Sequence, residues 1–569
     1  MKRTIVFLLT GVVCIGLSWA AYQATAPEEA PLSRYVPSGA LLYLQAKDFS
    51  SLLAGWNASP QKQRWMKSSN YEVFSRSRLF LRLKDASSQF TTAAGIPPDG
   101  SFLLQVAGRQ SVLALYDIGK LQFLYMSKLS STSSMQTALW QTRAKFETRE
   151  VSGRTFYVRR DPESEKEVAF AVNGEYLLLA TREDLVAEAL KLMGGSTDQS
   201  VEVEPWWSQS VAAGGVTGDL RMIMNLEKII PSPYFRSYWI QQNITDMKQY
   251  RAAVSDLFLS GKEIREERVL MKKPAAGGEA SEGNGSDSVS DLVRLVPPQA
   301  GIYEVKANPS AEVCFKLLET KILAPHPGPA LAPGLAPQEH LTSGETGNIS
   351  DLESRIDQAP VRSTTPLDAA SPLKELFQKH KPRAILQVQS TERDRDGVFV
   401  RLHTGFAIHS ELDWDEAGVR SALVDFIRPS LTAGKLGVAW MSRTGYQELD
   451  GLWTFVTAAQ GRYLLIADDP ALMNGMLARL NEKVALQPAV FIGGVNLTRE
   501  RENFARLTGL LDRGNSVSDT FLAGGPTPQF FSDNIGSLGS TLAEMSSEKI
   551  VVRDAGEKVL QTVTYEWAR

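Results

Sequence analysis

The sequence predicts an α+β fold in which two related copies follow an N-terminal hydrophobic helix. The first observation behind this prediction is an internal match, since residues 174–180 (GEYLLLA) return as residues 461–467 (GRYLLIA). The second is a series of short alternating apolar runs separated by short turns, which favours neighbouring strands that pair antiparallel. We therefore expect each copy to form a mainly antiparallel twisted sheet with helices packed on one face.

Each returning segment predicts a strand, a turn and a helix. The Tyr-Leu-Leu run is typical of a buried strand, and a stripe of apolar residues at helical spacing follows it. The stripe is Leu185, Val186, Ala189, Leu190 and Met193 in the first copy, and Leu472, Met473, Met476, Leu477 and Leu480 in the second. Three further pairs of segments match in the same order: 36–43 with 296–303, 225–226 with 496–497, and 267–270 with 557–560. Collinear matches of this kind indicate an internal duplication.

Several local patterns predict individual strands and turns. Alternating runs predict strands over residues 102–106, 112–116, 122–126, 156–159 and 168–172. In the second copy, Asp396-Gly397 lies between two alternating runs, which predicts a hairpin turn.

Residues 1–30 predict a signal peptide or an N-terminal membrane anchor. Lys2 and Arg3 precede an uncharged, mainly apolar run over residues 5–22, and two glutamates follow it. This charge order places the N-terminus in the cytoplasm and the body on the far side of the membrane. Cleavage after Ala20 would release the body into a bacterial periplasm, whereas an uncleaved segment would hold it at the inner membrane. The sequence leaves both alternatives open.

The body divides into a first α+β repeat over residues 31–273 and a second over residues 291–569. A Gly- and Ser-rich stretch over residues 274–290 predicts a flexible linker between them. Residues 324–372 are rich in proline and poor in large apolar residues, which predicts a disordered insertion inside the second repeat.

The framework of the repeat resembles a family of bacterial exported proteins that is defined by a duplicated conserved domain of unknown function. The resemblance rests on Val36-Pro37-x-x-Ala40-x-x-Tyr43 soon after an export signal, and on Gly-x-Tyr-Leu-Leu-x-Ala followed by a helix. It implies an exported location and this fold. It implies no catalytic residues.

Composition and motifs argue against several functions. The formal net charge is -3, and Lys and Arg are spread along the chain without the basic stripe that nucleic acids bind. The chain contains two cysteines, Cys14 in the leader and Cys314, so the body cannot form an intrachain disulfide. His403 and His409 lie in one strand-like run about 20 Å apart, too far to share a metal ion. The sequence therefore predicts no metal, no cofactor and no catalytic residues.

Six aromatic residues form a possible contact surface. They are Trp206, Trp207, Tyr234, Phe235, Tyr238 and Trp239. Aromatic clusters line grooves or rest on membrane surfaces, but they also fill cores, and both interpretations stay open.

These observations predict a non-catalytic exported envelope protein with a binding or scaffold role towards an envelope protein partner. The apolar run over residues 5–22 would contact the membrane if the leader is uncleaved. A carrier of a lipid or another apolar ligand is an alternative, which requires a cavity lined by leucine, methionine and aromatic side chains. An enzyme without a recognisable motif is a further alternative.

Overall fold

The structure, a computed structural model, describes residues 30–67, 71, 75, 78–196, 199–232, 247–274, 286–323, 371–393, 400–427, 439–451, 454–482, 488–503 and 545–567. Nearly all of the predicted leader and of the predicted insertion lie outside these ranges. Within them, no helix combines the length and the apolar character needed to cross a membrane.

Twenty strands of the described residues form one continuous antiparallel sheet, which confirms the predicted α+β class. The first half of the chain contributes β1 (Leu42–Ala46), β2 (Ser111–Asp117), β3 (Gln122–Lys128), β4 (Glu147–Val151), β5 (Arg154–Arg160), β6 (Glu167–Asn173), β7 (Tyr176–Ala180), β8 (Leu220–Asn225), β9 (Tyr250–Leu259) and β10 (Glu263–Lys272). The second half contributes β11 (Ile302–Ala307), β12 (Pro382–Arg393), β13 (Val400–Ser410), β14 (Ala439–Arg443), β15 (Tyr446–Asp450), β16 (Val456–Gln460), β17 (Tyr463–Ala467), β18 (Phe491–Asn496), β19 (Met545–Asp554) and β20 (Lys558–Trp567).

The strands occur in the same spatial order in both halves. In the first half the order across the sheet is β4, β5, β6, β7, β3, β2, β1, β8, β9, β10. In the second half it is β14, β15, β16, β17, β13, β12, β11, β18, β19, β20. Strand β10 pairs with β20 and joins the two halves. We call two residues equivalent when they lie on corresponding strands at the same register. Tyr43 of β1, opposite Ala114, is thus equivalent to Tyr303 of β11, opposite Val388.

Fourteen α-helices of the described residues accompany the sheet. In the first half they are α1 (Phe49–Ala58), α2 (Pro60–Lys67), α3 (Arg78–Ala94), α4 (Gly100–Val106), α5 (Ser131–Gln136), α6 (Ala138–Gln141), α7 (Glu183–Met193), α8 (Pro205–Ala213) and α9 (Leu226–Ile229). In the second half they are α10 (Ser286–Val293), α11 (Ala311–Leu318), α12 (Pro372–His380), α13 (Glu416–Ile427) and α14 (Pro470–Leu477).

Helices cover both faces of the sheet around β7, so the expectation of helices on one face is wrong. In the first half, α7 and α8 pack on one face, whereas α3, α4 and α6 pack on the other. Strand β7 shows the reason, because Leu178 and Ala180 lie in the first core while Leu177 and Leu179 lie in the second. A strand that is apolar on both sides needs cover on both sides.

Most of the predicted elements form. Strands β2, β3, β5 and β6 match the predicted runs, and the apolar stripes follow a strand as helices α7 and α14, except that Leu480 lies beyond the end of α14. The run at 102–106 is wrong as a strand, because it belongs to helix α4. The carboxylate of Asp99 accepts a hydrogen bond from the backbone N–H of Phe102 at 2.9 Å and caps this helix. A short apolar run does not distinguish a strand from a buried helix, and here the cap decides.

Two of the predicted boundaries overlap helices. Helix α10 begins at Ser286 and buries Val289, so the end of the predicted linker at residue 290 falls inside a helix. Helix α12 likewise begins at Pro372, the last residue of the predicted insertion. Strands β12 and β13 pair up to Arg393 and Val400, as the predicted hairpin requires, and the turn itself lies outside the described residues.

Candidate functional site

An apolar cavity of about 380 Å³ lies in the first half, between the sheet and helices α1, α3 and α4. We call it the chamber. Its sheet wall includes Leu44, Leu113, Phe123, Tyr125 and Leu179, and its helical side includes Leu83, Ala86, Phe90 and Leu103. Ligand pockets in proteins commonly have volumes of about 300–1,000 Å³ and mostly apolar linings. The chamber therefore has the size and the lining of a ligand site.

The sheet wall of the chamber is a row of apolar side chains across four strands. Leu44 of β1 is opposite Leu113 of β2, Leu113 is opposite Tyr125 of β3, and Tyr125 is opposite Leu179 of β7. Because side chains alternate along a strand, Tyr43 points to the other face, where it is fully buried. The register of the strands thus brings together residues that are far apart in the sequence.

The C-terminal end of helix α3 is held in the hydrophobic core, and the part of the helix before it forms a wall of the chamber. Ala93 and Ala94 are fully buried in the core below, and the ring of Phe90 lies 5.9 Å from that of Phe102 in α4. Gly95 ends the helix with a φ of 71°, a conformation that glycine adopts without strain. One turn beyond Ala86 towards the N-terminal end, Leu83 is 47% exposed although it lines the chamber. Leu83 therefore lies at the rim.

The hydroxyl groups of Tyr125 and Ser111 in the chamber wall are hydrogen-bonded within the protein. The hydroxyl of Tyr125 donates a hydrogen bond to the carbonyl oxygen of Val106 at 2.8 Å and lies 3.1 Å from Oγ of Ser111. Ser111 and Ser127 are joined by a hydrogen bond of 3.0 Å between their Oγ atoms. Burial raises the pKa of Tyr125, so its phenol stays neutral. Such a lining favours an apolar ligand over proton-transfer chemistry.

A second cavity of about 780 Å³ adjoins the chamber and is polar on its outer side. The two cavities share Leu83, Phe90, Leu113 and Phe123 among their lining residues. The polar side carries four basic and four acidic residues: Lys120, Arg160, Lys166, Arg182, Glu165, Glu167, Glu183 and Asp184. Four of these residues form two ion pairs. Arg160 pairs with Glu167 at 2.6 Å, and Arg182 pairs with Asp184. A ligand with an apolar tail and a polar head would find suitable surroundings for both.

The structure describes two of the six aromatic residues of the possible contact surface. Trp207 is buried in the core on the opposite face of the sheet, with its ring 4.5 Å from that of Tyr43 in an edge-on contact. Trp206 is half-buried, packs against the same core and contacts Trp207 at 5.8 Å. These two residues therefore fill the core. The other four, Tyr234, Phe235, Tyr238 and Trp239, lie outside the described residues.

The histidines and the cysteine of the described residues lie apart from the chamber, in the second half. His403 contacts the carboxylates of Glu392 at 3.2 Å and Asp468 at 3.8 Å, whereas His409 stacks on the ring of Tyr463 at 4.9 Å. Burial raises the pKa of the Cys314 thiol to about 12, which makes it a poor nucleophile. No group of three or more potential metal ligands occurs in the part of the chain that the structure describes.

Comparison with known proteins gives distant structural matches. Crystal forms I, III and IV of TP0453 match with 12% sequence identity each and TM-scores of 0.25, 0.24 and 0.23. The matches cover 44%, 49% and 44% of this chain, and 82%, 90% and 83% of those chains. No protein-family model and no curated protein sequence matches the chain. The function of the chamber therefore has to be argued from its own geometry.

Proposed function

We propose that the protein is a non-catalytic carrier in the bacterial envelope that binds a lipid or another apolar ligand in the chamber. The observation that carries this proposal is the row of Leu44, Leu113, Tyr125 and Leu179, which faces an open cavity of about 380 Å³. Binding of an apolar ligand removes the apolar wall of the cavity from contact with water, which is favourable.

Affinity should depend on the length of the apolar ligand. Burial of one methylene group contributes ~0.8 kcal/mol, or roughly a fourfold change in affinity. We expect saturated fatty acids from octanoate to myristate to bind with rising affinity until the chain fills the chamber, after which affinity should level off. Displacement of the fluorescent fatty acid cis-parinaric acid from the full-length protein measures this series.

The substitution Leu113→Gln tests the site. It places an amide without a partner in the apolar wall, which should weaken fatty acid binding by ~1–3 kcal/mol, or roughly fivefold to 150-fold. The matched control is Leu259→Gln, at an exposed strand end in the same half that does not line the chamber. Equal binding by both variants, with unchanged circular dichroism, would show that the chamber is not the site.

The scaffold role towards an envelope protein partner stays a prediction. Of the six aromatic residues considered for it, Trp206 and Trp207 contribute to the core. The enzyme alternative also stays a prediction, and the satisfied hydroxyls of Tyr125 and Ser111 do not favour it in the chamber.

A further inference from the structure

Four consecutive helices, three of which line the chamber, carry an unusual share of the exposed apolar side chains. Fifteen large apolar side chains are exposed among the described residues, and six of them lie between residues 56 and 104. These six are Trp56, Met66, Leu81, Leu83, Leu103 and Leu104. They all belong to helices α1 to α4, which we call the helical cap (residues 49–106). A concentration of exposed apolar side chains marks an interaction surface.

The helical cap is also basic, although the whole chain is acidic. Between residues 49 and 106 the sequence has seven Lys and Arg against three Asp and Glu, whereas the formal net charge of the chain is -3. The side chains of Arg64, Lys67 and Lys84 are exposed. Helices that combine exposed basic and large apolar side chains bind membrane surfaces, with the apolar groups ~5–10 Å deep at the headgroup boundary. Anionic lipids add an electrostatic attraction.

The cap is continuous with the chamber. Leu83 of α3 and Leu103 of α4 line the chamber and are themselves exposed. Aromatic contacts connect α2 with α3, since Tyr71 lies edge-on to Trp65 and to Phe80 at 6.3 Å each. The rim of the chamber is thus formed by two of the helices that carry the exposed apolar residues.

We propose that the helical cap docks on the surface of an anionic lipid bilayer. The basic side chains meet the lipid headgroups, and Trp56, Leu81 and Leu104 enter the interface. Docking in this orientation places the rim of the chamber against the bilayer. This surface is separate from the predicted leader and does not require that a ligand occupies the chamber.

A fluorescent label at the cap tests this proposal in the full-length chain. Leu104→Cys is labelled with an environment-sensitive nitrobenzoxadiazole dye in a Cys14→Ser background, because Cys314 is buried and poorly reactive. Leu412→Cys is the matched control, since both leucines are 49% exposed and Leu412 lies in the second half. If the leader tethers the protein, it brings the labels at positions 104 and 412 near the bilayer alike. A difference between their emission shifts then reports contact of the helical cap with the bilayer.

We expect a blue shift of the emission at position 104 with phosphatidylcholine vesicles that contain phosphatidylglycerol, and little shift at position 412. Vesicles of phosphatidylcholine alone, added salt, or Lys67→Glu with Lys84→Glu should reduce the shift at position 104. An emission at position 104 that vesicles leave unchanged, or equal shifts at both positions, would overturn the proposal. Labelling at Trp56→Cys repeats the test if Leu104→Cys does not fold.

Discussion

The two halves share their strand order but differ in what they place on one face of the sheet. In the first half, Leu44 and Leu113 form part of the chamber wall. The equivalent positions in the second half are Glu304 and Gln387, which are also opposite each other. Glu304 pairs with the neighbouring Lys306 at 2.8 Å, and both side chains are exposed by nearly half. The same topology thus supports an apolar wall in one half and a solvated polar surface in the other.

Further along the same face, the second half is filled by aromatic side chains. Phe406, equivalent to Tyr125, is fully buried together with Phe377 and Phe455. Phenylalanine needs no hydrogen-bond partner, whereas Tyr125 lies beside the chamber and needs the carbonyl oxygen of Val106. The comparison shows that strand order does not determine whether an apolar cavity forms. The residue at each register position does.

The largest effect on stability should come from a buried ion pair in the first half, which an apolar pair replaces at the equivalent positions of the second half. Arg221 and Asp256 are opposite each other on β8 and β9, joined at 2.7 and 2.8 Å, with 8% and 3% of their side chains exposed. The equivalent positions hold Ile492 and Val551. We expect Asp256→Ala to lower the free energy of unfolding by ~3–5 kcal/mol, because it leaves a buried guanidinium without its counterion.

The matched variant replaces both charges by the residues of the second half. Arg221→Ile with Asp256→Val should recover most of the stability, since a well-packed apolar pair replaces a buried ion pair at little net cost. Urea unfolding followed by circular dichroism compares the three proteins. A double variant as unstable as Asp256→Ala would show that the charges contribute through their other bonds, to Gly215 and Gly218.

A smaller effect on stability is expected from a substitution that fills the chamber with a side chain. Such a substitution makes the first half resemble the second. Ala86 is half-buried and lines the chamber, so Ala86→Phe should occupy the volume that the ligand needs. We expect fatty acid affinity to fall at least about tenfold, while stability stays equal or rises by ~0.5–2 kcal/mol, as in other cavity-filling substitutions. Ala417→Phe, at an exposed helical position of the second half, is the control. Unchanged binding by the Ala86 variant would place the ligand elsewhere.

The sequence allowed the local elements to be predicted better than the chamber. The Tyr-Leu-Leu strands and the helices after them were predictable because a strand and the stripe that follows it are contiguous in the chain. The chamber depends on the register between Leu44, Leu113 and Leu179, and no local pattern specifies that register. One signal was present, namely the replacement of Leu113 by Gln387 between the two halves. It becomes visible only once the strands are aligned.

The smallest expected effect is a pH dependence that originates in the second half. Thr181 and Asp468 occupy equivalent positions, and each accepts a hydrogen bond from a backbone N–H of the neighbouring strand, Phe123 at 3.0 Å and Thr404 at 2.7 Å. Beside Asp468 the second half has His403, where the first half has Gln122. The carboxylate of Asp468 raises the pKa of His403 above its ordinary value, in spite of partial burial.

A raised pKa means that the folded state binds the proton of His403 more tightly than the unfolded state does. The resulting stabilisation is fully present below the unfolded pKa of about 6.5, and it is lost as the pH rises through the higher folded pKa. His403→Gln, which introduces the residue of the first half, should remove this dependence. Thermal unfolding of both proteins between acidic and mildly alkaline pH measures it. Parallel curves for the two proteins would show that protonation of His403 beside Asp468 does not change the stability of the folded state.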